Sequence, residues 1–324
     1  MDSLTQLALG AAVGYAVGGK KYGKKAILMG AAAGTLPDLD ILPILPFDNE
    51  FIYLKHHRGF SHSLIFAVLT PLLVLRKSVT LAWTLFACFA THILLDCFTT
   101  WGTQVFWPLA NRVAWNTIFI VDPMYTVPIL LSLILALLAS RHALRSQAIW
   151  IGLGLSSLYL VWTLGIKTRM HYEFKMLFAT HGLEIQRFMT RPTAFNSILW
   201  STTAESKDGY YFGMISLLDR SFQGPLYFLP KNHDLASGFS DKESQELLAY
   251  TKGYYSVESI ENGVRVHDLR YGFMGDPWVH GPQYVFSYDL TKDDGGAVAL
   301  EIQNPRPENT ADLMGELWVR LKGI

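Results

Sequence analysis

Six apolar segments crowd the first 166 residues of this 324-residue chain, at roughly 3–19, 26–47, 62–75, 79–100, 123–140 and 147–166. The fifth and sixth, PMYTVPILLSLILALLAS and QAIWIGLGLSSLYLVWTLGI, are long enough to cross a hydrocarbon core of about 30 Å. Charge follows the same division. Residues 1–166 hold 11 Lys/Arg and 7 Asp/Glu, against 16 and 20 in residues 167–324. The pattern predicts a mainly α fold, with a polytopic helical membrane domain of about six spans over 1–166. A small extramembrane α+β domain follows over 167–324.

Half of the residues are hydrophobic and 17% are charged, which excludes a disordered, collagenous or disulfide-scaffold chain. The net charge of zero gives no electrostatic case for nucleic acid. Cys88 and Cys97 lie nine residues apart on one segment, on opposite faces of a helix, so no disulfide between them is expected. Asp2 precedes the first apolar run and the lysines follow it, the reverse of a secretory signal, so cleavage is not expected. Gly10, Gly14 and Gly18 recur every fourth residue, a spacing that lets another helix come close.

With six crossings, the loops carrying Lys20, Lys21, Lys24, Lys25, Arg76, Lys77, Arg141 and Arg145 share one side. The other side holds Lys55, Arg58, Arg112, Lys167 and Arg169. The positive-inside rule makes the richer side cytoplasmic, and the C-terminal half extracytoplasmic.

Several acids and histidines sit where an apolar span ought to be. Segment 2 contains Asp38 and Asp40 after Pro37, and segment 4 contains His92 and Asp96 near its end. Ionisable groups at membrane depth are expensive and usually face a polar cavity with a partner. His92 and Asp96, four apart, share a helix face suited to two ligands on one metal. Asp38 and Asp40 would diverge on a regular helix, but Pro37 gives a reason for it to break. The loop His56-His57-Arg58-Gly59-Phe60-Ser61-His62-Ser63 lies on the same side. Asp38, Asp40, His57, His62, His92 and Asp96 therefore form a candidate ligand set, with donors enough for two metals. Mixed imidazole and carboxylate donors suit zinc foremost, then manganese or iron, and calcium less well. Such ions bind a phosphoryl or acyl oxygen and activate water near neutral pH. Arg58 is a candidate for holding a substrate anion, and His56 for a ligand, a supporting partner or a general acid. Interhelical hydrogen bonds, a proton path or lipid-headgroup binding are the competing explanations for the same residues. Asp122-Pro123 reads as a helix start. Thr100, Thr103 and Gln104 either orient ligands or belong to an aromatic interface loop with Trp101, Phe106 and Trp107.

The stretches MDSLTQLALGAAVG, GTLPDLD, HHRGFSHS, THILLDCFTTWGTQVFWPL and IFIVDPMYTVPILL, in that order, carry a family resemblance. Over about residues 1–140 the chain resembles the bacterial membrane-bound metal-dependent hydrolases, relatives of a LexA-regulated inner-membrane protein. The resemblance implies a multi-pass protein of the bacterial inner membrane and a metal-dependent hydrolase, without implying a substrate. His92-x-x-x-Asp96 also resembles the His/Asp ligand spacing of zinc-dependent phospholipase C. Gln6 departs from the family pattern, where some members place a histidine.

In the second half, residues 169–190 have the apolar spacing of an amphipathic helix. Strands are expected at 210–218, 255–260, 264–269, 284–290 and 297–302, with hairpins at Asn262-Gly263 and Asp293-Asp294-Gly295-Gly296. A capping box at Ser240-Asp241-Lys242-Glu243 opens a helix to about 252, and residues 310–321 read as a last helix. His267, Asp276 and His280 lack ligand clustering and read as surface or packing residues.

Two functions remain open. One is a metal-dependent hydrolase acting on a phosphoester or ester of a lipid or lipid-linked substrate. The other is a non-enzymatic membrane protein, with a structural metal or an ion or proton path and a partner-binding C-terminal domain. Lipid is the expected partner of the first, an unidentified protein of the second.

Overall fold

The computed structural model describes residues 1–43, 50–109, 111–222, 224–292, 298–303 and 310–323. It divides into two compact units, one of Met1–Asp48, Ile52–Ile166 and Ala194–Ser197, the other of Asn49–Phe51, Lys167–Thr193 and Ile198–Ile324.

The first unit is helical. Helix α1 (Ser3–Tyr22) turns at Gly23 into α2 (Lys25–Thr35), and a 3₁₀ turn, Leu36–Ile41, follows. Then come α3 (Glu50–His56), a 3₁₀ turn at Phe60–His62, α4 (Leu64–Leu75), α5 (Val79–Cys97), α6 (Pro123–Leu138) and the start of α7 (His142–Thr180). Six spans are not supported among the described residues. Among the described residues, α5 and α7 alone are both long and apolar enough to cross a membrane, and Phe51–His62 with Leu64–Leu75, bent by 52°, makes a third if taken as one broken span. The reason is helix length. At about 1.5 Å per residue, α2 reaches only about 17 Å before Pro37 converts it to a tighter turn, and α4 only about 18 Å. Helix α6 is apolar but has 16 residues. Large apolar side chains stand exposed along these helices, among them Leu69, Leu73, Leu135, Leu138, Leu158 and Val161, as lipid-facing residues do.

The glycines set the tightest contact. A Cβ on Gly10 would stand 2.4 Å from the Gly30 oxygen, and one on Gly14 would stand 2.5 Å from the Gly30 Cα. Helices α1 and α2 therefore pack backbone to backbone, as the four-residue spacing leads one to expect. Behind them lies a core of small and aromatic residues, including Ala8, Ala12, Ala26 and Phe89.

The three basic loops meet at one end of this unit. Lys21 Nζ donates to Ser78 Oγ at 2.9 Å, Tyr22 shares that hydroxyl at 2.7 Å, and Lys24 Nζ reaches the Leu137 oxygen at 2.7 Å.

The second unit holds two four-stranded antiparallel meanders. One is β1 (Arg187–Pro192), β2 (Leu199–Glu205), β3 (Gly209–Ser216) and β4 (Tyr227–Pro230). The other, after α8 (Lys242–Tyr250), is β5 (Tyr255–Ile260), β6 (Gly263–Asp268), β7 (Ser287–Lys292) and β8 (Val298–Gln303), with α9 (Pro277–His280) before β7. Helix α10 (Thr310–Leu321) packs Leu317 and Leu321 on Leu199, Phe212 and Met214.

Three sequence expectations shift here. The amphipathic stretch is not a separate helix: α7 runs unbroken for 39 residues and stops at Thr180, with Gly182 at φ +65°, and Phe188 belongs to β1. Asp241, not Ser240, caps α8, accepting from Ser244 N at 2.9 Å. The first hairpin pairs Ile260 with Gly263, so its loop is Glu261-Asn262, and the turn expected at 293–296 lies outside the described residues.

Candidate metal centre

The break after α2 decides where the two aspartates go. In a 3₁₀ turn of about three residues, positions two apart point in different directions. Asp38 accordingly faces His62, with Oδ1 3.2 Å from Nε2, while Asp40 turns to His57, with Oδ1 3.0 Å from Nδ1. The second 3₁₀ turn delivers His62, and Ser63 ends it by capping α4 through the Phe66 N–H at 3.1 Å. His92 and Asp96, one turn apart on α5, face the same point.

Four donor atoms converge, one from each of Asp38, His62, His92 and Asp96. The His62 and His92 Nε2 atoms stand 3.1 Å apart. His62 Nε2 lies 3.2 Å from Asp38 Oδ1 and 3.3 Å from Asp96 Oδ2, and His92 Nε2 lies 3.6 Å from each of those oxygens. Donors at the corners of a tetrahedron around zinc, with bonds of about 2.0–2.1 Å, stand about 3.3–3.4 Å apart. His62, His92 and Asp96 are fully buried, and the Asp38 side chain is 19% exposed.

Both imidazoles direct Nε2 toward this point and Nδ1 away from it. His92 Nδ1 lies 2.7 Å from the Gly34 carbonyl oxygen, which only accepts, so Nδ1 carries the proton. Ser61 Oγ donates to Asp40 Oδ2 at 3.0 Å and therefore accepts from His62 Nδ1 at 2.9 Å. The two Nε2 atoms thus face each other across 3.1 Å, beside a buried Asp96 Oδ2 that has no hydrogen-bond partner among the described residues. The donor set fits a zinc-class ion.

Asp96 Oδ1 faces the opposite way, toward cations and donors. It meets the Met1 ammonium, Gln6 Nε2 at 3.0 Å and Arg58 Nη1 at 3.5 Å. Arg58 is buried, and its backbone sits at φ +58°, a conformation uncommon for a side-chain-bearing residue. Asp40 Oδ2 holds that turn by accepting the Arg58 N–H at 2.8 Å.

The sequence-predicted residues are thus sorted. Asp38, His62, His92 and Asp96 come together. Asp40 and His57 pair beside them, where Asp40 orients His62 through Ser61, and His57 stacks on Tyr53. Arg58 adjoins Asp96, and His56 is exposed at the end of α3. Gln6, read as a departure from the family pattern, is fully buried and hydrogen-bonded to Asp96, one of the four converging residues. Ser61 and the Gly34 carbonyl carry no signal in the sequence beyond their neighbours. Thr103 and Gln104 brace the histidine loop through its backbone, at the His62 and Arg58 oxygens. Asp122 caps α6 through Met124 N at 3.0 Å and Tyr125 N at 3.4 Å.

Residues 1–170 match the family model described as YdjM inner membrane protein. The chain is 25% identical to the uncharacterized protein YfhP of Bacillus subtilis (strain 168), over 85% of this chain and 88% of that protein. It is 32% identical to the inner membrane protein YbcI of Escherichia coli (strain K12), over 32% of this chain and 64% of that protein. No solved structure matches.

Proposed function

The chain belongs to the YdjM inner membrane protein family, and from that premise we propose a metal-dependent hydrolase that cleaves a phosphoester or ester bond of a lipid or lipid-linked substrate. One observation carries the reading: two imidazole Nε2 atoms and two carboxylate oxygens face one point, each nitrogen 3.1 to 3.6 Å from the other donors. Bound there, a divalent ion supplies a Lewis acid and an activated water. The residues do the rest. Asp38 is the one donor open to solvent, so substrate oxygen enters on its side. Arg58 neutralises Asp96, and its Nε–H, without a partner among the described residues, offers a donor to a phosphoryl oxygen. Asp40 and Ser61 hold the His62 ring in one tautomer.

In this reading the protein is multi-pass. The end bearing the basic loops is cytoplasmic, and the metal centre, about 24 Å away along α1 from Gln6 to Tyr22, faces the extracytoplasmic leaflet. Helix α7 begins beside Arg141 and Arg145, so the unit after it is extracytoplasmic too.

One observation favours the non-enzymatic alternative. Four protein donors converge, the number that structural zinc sites use, whereas catalytic sites keep a position open. Chelation separates the two. A hydrolase loses turnover of short-chain phospholipids or p-nitrophenyl esters and keeps its fold. A structural site loses the fold and shows no turnover when metal-loaded.

A further inference from the structure

A cleft lies wholly within the C-terminal unit, and neither the family nor the candidate metal centre accounts for it. The β5–β8 sheet alternates cleanly. Val257, Val264, Val266, Tyr288 and Leu290 point to one face. Ser256, Glu258, Arg265, His267, Ser287 and Asp289 point to the other. A polar face of an antiparallel sheet is ordinarily solvated. Here one end of it is buried, because the segment between the isolated pair Phe273 and Tyr284 folds back over it. The Tyr284 ring stacks on His267 at 3.6 Å between centroids. Beside that contact remains a cleft of about 430 Å³, within the range of about 300–1,000 Å³ that small ligands use.

Its floor is a chain of polar groups. Ser287 Oγ lies 2.8 Å from His267 Nδ1, and His267 Nε2 lies 3.1 Å from Glu258 Oε2. Arg265 holds Asp289 with two bonds, at 2.6 and 2.8 Å, so that pair cancels its own charge. Gln283 and Gln303 line the cleft, and a glutamine amide offers both a donor and an acceptor. Met274, Pro282 and Tyr284 form an apolar wall. Burial holds His267 below its ordinary pKa and pushes the Tyr284 hydroxyl up to about 12, so both are neutral at physiological pH.

The Ser–His–Glu chain does not make Ser287 a nucleophile. Ser287 is paired on both sides, with His267 and with Gln303, so its neighbouring backbone N–H groups are committed to the ladder. The charge left over is that of Glu258, which repels anions such as phosphate. A mixture of donors and acceptors facing an apolar wall suits a ligand whose hydroxyls both give and accept while its C–H face packs. We propose that this cleft binds a neutral saccharide.

The test uses the full chain in detergent and saturation-transfer NMR with glucose, N-acetylglucosamine and their β-linked tetramers. Saturable binding is expected for at least one probe, weakened by up to about tenfold in Gln303→Ala and in Gln283→Ala, with metal content unchanged. These half-buried positions keep the comparison free of the folding loss that His267→Ala risks. Absence of binding by all probes, or binding that both glutamine variants leave intact, overturns the proposal.

Discussion

At the scale of single residues, the candidate metal centre depends on atoms behind its four donors as much as on the donors. His62 presents its Nε2 because Ser61 and Asp40 occupy Nδ1, and His92 because the Gly34 carbonyl does. Supporting groups of this kind, when removed, typically cost about 10–100-fold in metal affinity. Ser61→Ala should therefore weaken metal binding by that order while the purified protein stays monodisperse, which competition with a chromophoric chelator measures. Unchanged affinity would mean that another group fixes the tautomer. The acids and histidines were legible in the sequence, because ionisable groups in apolar segments stand out. Their division was not: residues two apart on a 3₁₀ turn separate Asp38 from Asp40, and only the turn itself shows which faces His62. Gln6 shows the same limit. Its spacing marks a departure from a pattern, but its bond to Asp96 depends on how closely α1 approaches α5.

At the scale of elements, the α1–α2 contact positions the Gly34 carbonyl that fixes His92. Gly30→Leu would drive a side chain into the Gly10 oxygen, which a Cβ already meets at 2.2 Å. Overpacking of this kind costs about 1–3 kcal/mol or more. The variant should melt at lower temperature and bind metal more weakly, read together by thermal unfolding in detergent and elemental analysis. In the C-terminal unit, His267 is neutral in the fold because burial lowers its pKa. Below about pH 6.5 the unfolded chain takes up a proton that the folded sheet resists, so stability falls as pH falls. A melting series from neutral to mildly acid pH should show this loss, and His267→Gln should flatten it. The hairpin and the last helix could be read from turn and period signals, since those are local. The end of α7 could not, because Ile185 and Phe188 match a helical period that Gly182 has already ended.

At the scale of the whole molecule, apolar length alone overcounts spans. Segments 2 and 3 are hydrophobic enough for lipid, yet Pro37 and the 3₁₀ turns break them into short helices whose ends build the polar centre. Charge placement survives that correction, since the three basic loops still meet at one end. A cysteine introduced at the exposed Lys207 should react with a membrane-impermeant maleimide in intact cells, the native Cys88 and Cys97 being buried. Labelling only after lysis would reverse the sidedness. The most direct measurement concerns the centre itself. Elemental analysis of the purified protein, beside His92→Ala/Asp96→Ala, should find one zinc-class ion per chain, absent from the double variant. A folded wild-type protein that holds no metal and takes up none when it is supplied would contradict the metal centre, and with it the hydrolase.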